Sequence, residues 1–181
     1  GAQSVQRGVV FSHILTSGNS CDIDVADLVA FLAEDEHTKA IACVFETMPE
    51  PERLIEAAGI ALAAGKPIVI NKLGTGEEGA KAALTHSGML TGSHDVYSAL
   101  FDRAGMTLVD NFGELIETAA YFAKERTGRA PGTVVLTSSG GASVMAADKA
   151  EIHRVPLPQP AEETRAAIQR KLPDFGTARN P

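Results

Sequence analysis

Hydrophobic positions along this chain follow two periods in turn. Short apolar, β-branched runs recur between stretches whose apolar residues return every three or four positions. Val9 to Thr16 ("VVFSHILT") has the first character and predicts a strand, stopped by the turn signal Ser17-Gly18-Asn19. Asp24 to Ala33 has the second: Val25, Leu28, Val29 and Leu32 share a helical face, with acids at the helix start. Lys39 to Phe45 predicts a buried strand. Pro51 to Ala64 predicts a helix ended by Gly65, and Pro67 to Asn71 a second buried strand. Glu77 to Leu84 predicts a short, alanine-rich helix, followed by a loop, Thr85 to Gly92 ("THSGMLTG"). Ser93 suits the N-cap of a helix over Asp95 to Ala104, closed by Gly105. Met106 to Val109 is strand-like. Phe112 to Lys124 is helical, with Leu115, Ile116, Ala119, Phe122 and Ala123 on one face.

Alternating strands and helices, with strand runs apolar throughout, predict an α/β fold: a flavodoxin-like or Rossmann-like parallel sheet with helices on both faces. Such sheets bind ligands at the carboxyl ends of their strands. The polar, Gly- and Pro-containing stretch "ERTGRAPG", Glu125 to Gly132, marks a boundary. The expected division is a first domain over 1–126, a linker over 127–132, and the start of a second, similar domain over 133–181. That second part opens with a strand at Thr133 to Thr137, a Ser138 to Gly141 turn and a helix from Ala142 to about Ile152; a helix near Glu162 to Lys171 follows. About 50 residues are too few to complete a second α/β domain.

Composition narrows the function classes. The chain has 181 residues, a net charge of -7, 44% apolar and 22% charged residues. Lys and Arg do not cluster, which argues against nucleic-acid binding; the cations in Arg165 to Lys171 share a helix with Glu162 and Glu163. No apolar run reaches the roughly 20 residues of a membrane helix, and nothing at the N-terminus reads as a signal peptide. Cys21 and Cys43 lack CxxC spacing and read as reduced thiols of a cytoplasmic protein. The chain begins in mid-pattern and reads as a fragment.

Four stretches could carry chemistry. In the Thr85–Gly92 loop, His86 has hydroxyls and glycine beside it, and Gly88 allows backbone N–H groups to approach an anion. A neutral imidazole can attack phosphorus through one nitrogen when the other donates to a carboxylate. On pattern alone, a lone loop histidine reads as a solvated side chain. Glu46, at the end of "IACVFE", stands where strand ends converge and could orient His86; as a loop carboxylate it would simply face water. "TSSGGASVMAADKA", from Thr137, has glycines at a turn into a helix, as a phosphate cradle does, without a Walker lysine or a full GxGxxG. It reads equally as a tight turn. Asp22, Asp24 and Asp27 admit a metal site, but Asp24 and Asp27 fit an N-cap and a first-turn acid better. The remaining histidines show no zinc-ligand spacing, and no G-x-S-x-G elbow is present.

Taken in order, these stretches resemble NDP-forming acyl-CoA synthetases, the ADP-forming acetyl-CoA synthetase relatives of succinyl-CoA synthetase. "TSGNSCDIDVADLVAFLAEDEHTKAIACVFE" resembles their S-x-GN-x-x-D-x-D stretch and YxE strand end. "THSGMLTGSHDVYSALFDRAGM" resembles their SHTGxLxG phosphohistidine loop, with the two hydroxyl residues beside the histidine, Thr85 and Ser87, exchanged. "VVLTSSGGASVMAADKAE" resembles the opening of the next domain, and "LPDFGTARNP" the run into their NPxD.

The resemblance implies an acid–thiol ligase in which acyl-CoA and phosphate give an acyl phosphate, and a histidine passes the phosphoryl group to ADP or GDP. His86 would be phosphorylated and Glu46 would hold it. Ser87, Gly88, Ser139, Gly140, Gly141 and Ala142 would bind phosphate, the last four at a helix start. Coenzyme A, ATP/ADP or GTP/GDP and Mg2+ would serve the complete enzyme, with none held in this chain alone. A CoA-binding domain and an ATP-grasp domain, in the same or a partner chain, are implied partners; a homo-oligomer is compatible. The first domain would lack its first strand and one phosphate-facing helix start, since "GAQSVQRGVVF" matches only that helix's tail. Two alternatives stay open: a regulatory module that senses ligand, as in acetyltransferase-fused relatives, and a flavodoxin-like binding module without chemistry.

Overall fold

The structure, a computed structural model, describes residues 8–18, 20, 22–48, 50–87, 93–124 and 132–181, except the side chains of His86 and Ser87. The chain divides into two compact units, residues 1–125 and 126–181. Apart from Gly132, the expected linker lies outside the described residues.

In the first unit the elements are α1 (Val25–Glu34), β1 (Ile41–Phe45), α2 (Pro51–Ala63), β2 (Ile68–Lys72), α3 (Glu77–Ser87), α4 (His94–Arg103), β3 (Thr107–Leu108) and α5 (Phe112–Ala123). The sheet is parallel, in the order β1-β2-β3. Ile41 pairs with Ile68, Phe45 with Lys72, and Ile70 with Leu108. The central strand β2 is buried at all five positions. Ile68 and Ile70 join a core with Val29 of α1, Leu54 and Ala58 of α2, and Tyr97 and Phe101 of α4. Val69, of opposite pleat, faces the other side, where α5 packs against β2 and buries Leu115 and Ile116. Strand β1 buries only Ile41, Cys43 and Phe45; Ala42 and Val44 are exposed, so the expected buried strand is buried on one face.

The caps follow local chemistry. Asp24 accepts from the amides of Ala26 and Asp27, and Asp27 accepts from the Asp24 amide, a reciprocal box that starts α1. Asn111 caps α5 without such a box: its side chain accepts from the Glu114 amide, and the Glu114 carboxylate accepts from the Asp110 amide. Ser93 occupies the α4 N-cap position but makes no side-chain cap bond. Gly65, at φ 69°, ends α2: its amide bonds to Leu62 O and that of Lys66 to Ala61 O.

Two expected strands do not form, for one reason. Residues 9–17 carry no ladder; Val10 is 92% exposed. The segment lies along the end of α1, with Ser12 Oγ 2.9 Å from Thr38 Oγ1 and the His13 ring edge-on to Phe31. Residues 133–137 are likewise unpaired, with Leu136 97% exposed. β-Branched composition favours extended backbone, but a strand also needs a neighbour to complete its hydrogen bonds.

The second unit contains α6 (Gly140–Ile152) and α7 (Glu162–Gln169). Its buried residues, among those described, are Ala150, Ala178 and one polar side chain, Asn180. Asn180, 5% exposed, donates to Thr133 O and Pro158 O and accepts from the Val135 amide. Among the described residues, no helix is long and apolar enough to cross a membrane.

Candidate active site

The carboxyl ends of β1 and β2 lie side by side because the two strands are parallel and in register. Phe45 O accepts from the Leu73 amide at 2.9 Å, extending the ladder past the strand ends. Glu46 therefore emerges beside Lys72, half-buried at the sheet edge. The Lys72 side chain, 5% exposed, turns back across that edge. Its Nζ donates to Glu46 O and Leu73 O, each at 2.6 Å, and lies 5.1 Å from the Tyr97 ring centroid. Burial lowers the Lys72 pKa from its usual value, and the attraction of Glu46 opposes that shift.

Sequence reasoning passed over Lys72 because a cation after an apolar run normally marks a strand's exit into water. Its place at the carboxyl end of the central strand was the available signal. Tyr97 was also missed. Its ring packs on Phe101, which meets Phe45 edge-on, and its hydroxyl donates to Met48 O at 3.3 Å.

After β2 the chain turns at Gly74, φ 67°, into α3. Gly79 packs there so closely that a Cβ would sit 3.3 Å from Gly74 Cα. Helix α3 runs through Ser87, three residues beyond the expected end at Leu84. His86 and Ser87 therefore belong to its last turn and not to a loop. Thr85 Oγ1 donates to Lys81 O, a bond available only in helical backbone. Gly88 lies outside the described residues. An open cleft of about 440 Å³ forms where the first turns of α3 and α4 approach, lined by Gly74, Glu77, Ser93, His94 and Asp95 among others.

Ser139, Gly140, Gly141 and Ala142 form the start of α6, in the second unit, and are exposed. Ser139 is the N-cap: its Oγ accepts from the Ala142 amide, and its own amide donates to Thr137 Oγ1. A Cβ on Gly140 would meet nothing within 4 Å. Asp24 and Asp27 serve the α1 cap, as their spacing suggested, and both also pair with Arg53.

Residues 2–122 match the succinyl-CoA ligase like flavodoxin domain. The chain belongs to this family. It is 36% identical over 178 residues to the alpha subunit of an ADP-forming acetate–CoA ligase I of Pyrococcus furiosus, covering 98% of this chain and 38% of that one. It is 28% identical to an ADP-forming 4-hydroxybutyrate–CoA ligase of Nitrosopumilus maritimus, over 97% of this chain and 25% of that one. Its fold superposes, with a TM-score of 0.86 and 27% identity, on a Ca. Korarchaeum cryptofilum dinucleotide forming acetyl-coenzyme A synthetase 1 in complex with phosphate and ADP, covering 99% of this chain and 39% of the other. The chain thus spans less than two-fifths of each of these proteins.

Proposed function

We propose that this chain is the phosphohistidine-carrying part of an NDP-forming acyl-CoA synthetase, acting in acyl-CoA + NDP + phosphate = carboxylic acid + CoA + NTP. Collinear similarity to ADP-forming CoA ligases over nearly the whole chain, through both the Glu46 strand end and the His86 segment, carries this reading.

In the proposed half-reaction, a ring nitrogen of His86 attacks the phosphorus of an acyl phosphate. The N–P bond forms, the P–O bond to the acyl group breaks, and the carboxylate leaves with the electron pair. NDP then takes the phosphoryl group and restores the imidazole. Glu46 accepts the other ring N–H and fixes the tautomer. Phosphoryl transfer is mainly positioning and charge stabilisation. Ser87 and Gly88 beside the histidine, and the Ser139–Ala142 helix start, are assigned to the phosphoryl oxygens. At Ser139 and Ala142 the amides already have local partners, which leaves those of Gly140 and Gly141 for this task.

Residues 1–126 are proposed as the phosphohistidine domain, 127–132 as linker and 133–181 as the start of a second flavodoxin-like domain. Coenzyme A and the nucleotide bind to CoA-binding and ATP-grasp domains, in the same or a partner chain. Mg2+ is assigned to the nucleotide. A cytoplasmic location is part of the proposal.

The test is labelling of the complete enzyme with radioactive phosphate and acyl-CoA. Acid-labile, base-stable label is expected on His86, and His86→Asn is expected to take none. Equal labelling of that variant defeats the assignment. Ligand-induced stabilisation without label instead identifies a sensing module.

A further inference from the structure

We propose that Lys72 and Tyr97 form a clamp that positions the segment after β1, Glu46 to Met48, and through it the Glu46 carboxylate. The inference rests on the ligase reading above and assigns two positioning residues to its site. Lys72 fixes the segment's first carbonyl, Glu46 O, and Tyr97 fixes its last, Met48 O. The two clamp residues also meet each other, the ammonium over the ring.

The ammonium group has three donors. Two are spent on Glu46 O and Leu73 O, and the Tyr97 ring covers a further side. Lys72 is thus turned inward and does not offer itself to a phosphoryl group. The cation ties the exits of β1 and β2 together and places both against α4.

Burying a cation against carbonyls and a ring is a costly way to fill space, since an apolar side chain of similar length packs there without desolvating a charge. What the lysine adds is fixed geometry at the edge where Glu46 emerges. Tyr97 is held in turn by Phe101, which is fully buried against Phe45. The clamp is therefore anchored in the core.

The experiment measures the initial rate of His86 labelling from radioactive ATP in the complete enzyme. The variants are Lys72→Met, Tyr97→Phe and Glu46→Gln, with each clamp substitution also combined with Glu46→Gln. Lys72→Met is expected to slow labelling by about tenfold to a hundredfold, as small misplacements of catalytic groups do. Tyr97→Phe, which loses one hydroxyl, is expected to slow it about threefold. The nucleotide KM should stay unchanged. In the Glu46→Gln background neither change should add more than about twofold, because residues acting through one group are non-additive. A purely structural role predicts losses that multiply. Multiplying losses, or wild-type rates in both clamp variants, overturn the clamp. Should Lys72→Met fail to fold, the Tyr97→Phe pair decides alone. A wild-type enzyme that takes no label brings down the ligase reading itself, an outcome distinct from labelled wild type beside unaffected variants.

Discussion

Arg53 and Asp24 are joined between α2 and α1: the guanidinium Nη1 donates to Asp24 Oδ2 at 2.8 Å. The other oxygen of the same carboxylate caps α1. One buried side chain thus starts a helix and fastens it to its neighbour.

Removing that carboxylate should be felt twice. Asp24→Ala is expected to cost about 1 kcal/mol for the cap. It should cost up to about 1 more for the ion pair, discounted because Arg53 is partly exposed. Asp22→Ala, at an exposed position nearby, should change stability by less than about 0.5 kcal/mol. Urea unfolding compares them, and equal losses would contradict the capping assignment.

Acid should weaken both ends of α1, where Asp27 stands in the first turn and Asp35 is the C-cap. Hydrogen bonding from the Asp24 amide, then Arg53, holds the Asp27 carboxyl below its usual pKa. A hydrogen bond from Thr38, helped by the positive potential of His13, does so for Asp35. A depressed native pKa means the unfolded chain binds protons first as pH falls, so the stabilisation is whole above about pH 4 and lost below it. The urea midpoint is expected to fall between pH 5 and pH 3, and Asp27→Asn should shrink that fall. An unchanged slope in this variant counts against the Asp27 contribution.

Cys43 should be inert in the folded protein. Burial in the β1 core pushes its thiol up to about 12, so almost no thiolate exists near neutrality. In a Cys21→Ser background, Ellman's reagent at pH 8 should release no colour from native protein and one equivalent in guanidinium. Rapid native reaction would show that β1 opens readily.

Two helix ends offer opposite substitutions. Gly65 and Arg154 both follow helices in left-handed backbone, at φ 69° and φ 54°. Gly65→Ala should lower stability by about 1 kcal/mol, whereas Arg154→Gly should raise it by about 0.5–1. Thermal melting reports both signs, and a destabilised Arg154→Gly protein would mean that the arginine side chain contributes more than its backbone costs.

Asn180 should act as the clasp of the second unit. Asn180→Ala leaves the Val135 amide and the Thr133 and Pro158 carbonyls without their partner, at a cost of about 2 kcal/mol. Hydrogen exchange at the Val135 amide is the direct readout. Protection should drop there first, and retained protection removes Asn180 from this role.

The helices were legible because their signals are local. The box of Asp24 and Asp27, the Pro51 start and the Gly65 and Gly105 stops lie within a turn of the ends they define. Helix α3 runs past its expected end at Leu84, and Thr85, expected to open a loop, bonds back to Lys81 O. Glu46 was legible as a site candidate from its strand end alone. Lys72 and Tyr97 were not, because their significance lies in which carbonyls they meet.

By itself, then, the sequence determined period, caps and turns, and with them an alternating α/β chain, since each depends on neighbours three or four residues away. Only the tertiary structure decided which extended runs became strands. Residues 41–45 and 68–72 found ladder partners, whereas residues 9–16 and 133–137 did not. It also decided that Lys72 faces inward. Hydrogen bonding across a sheet and burial of a charge depend on groups far apart in the chain, and no local pattern encodes where those groups meet.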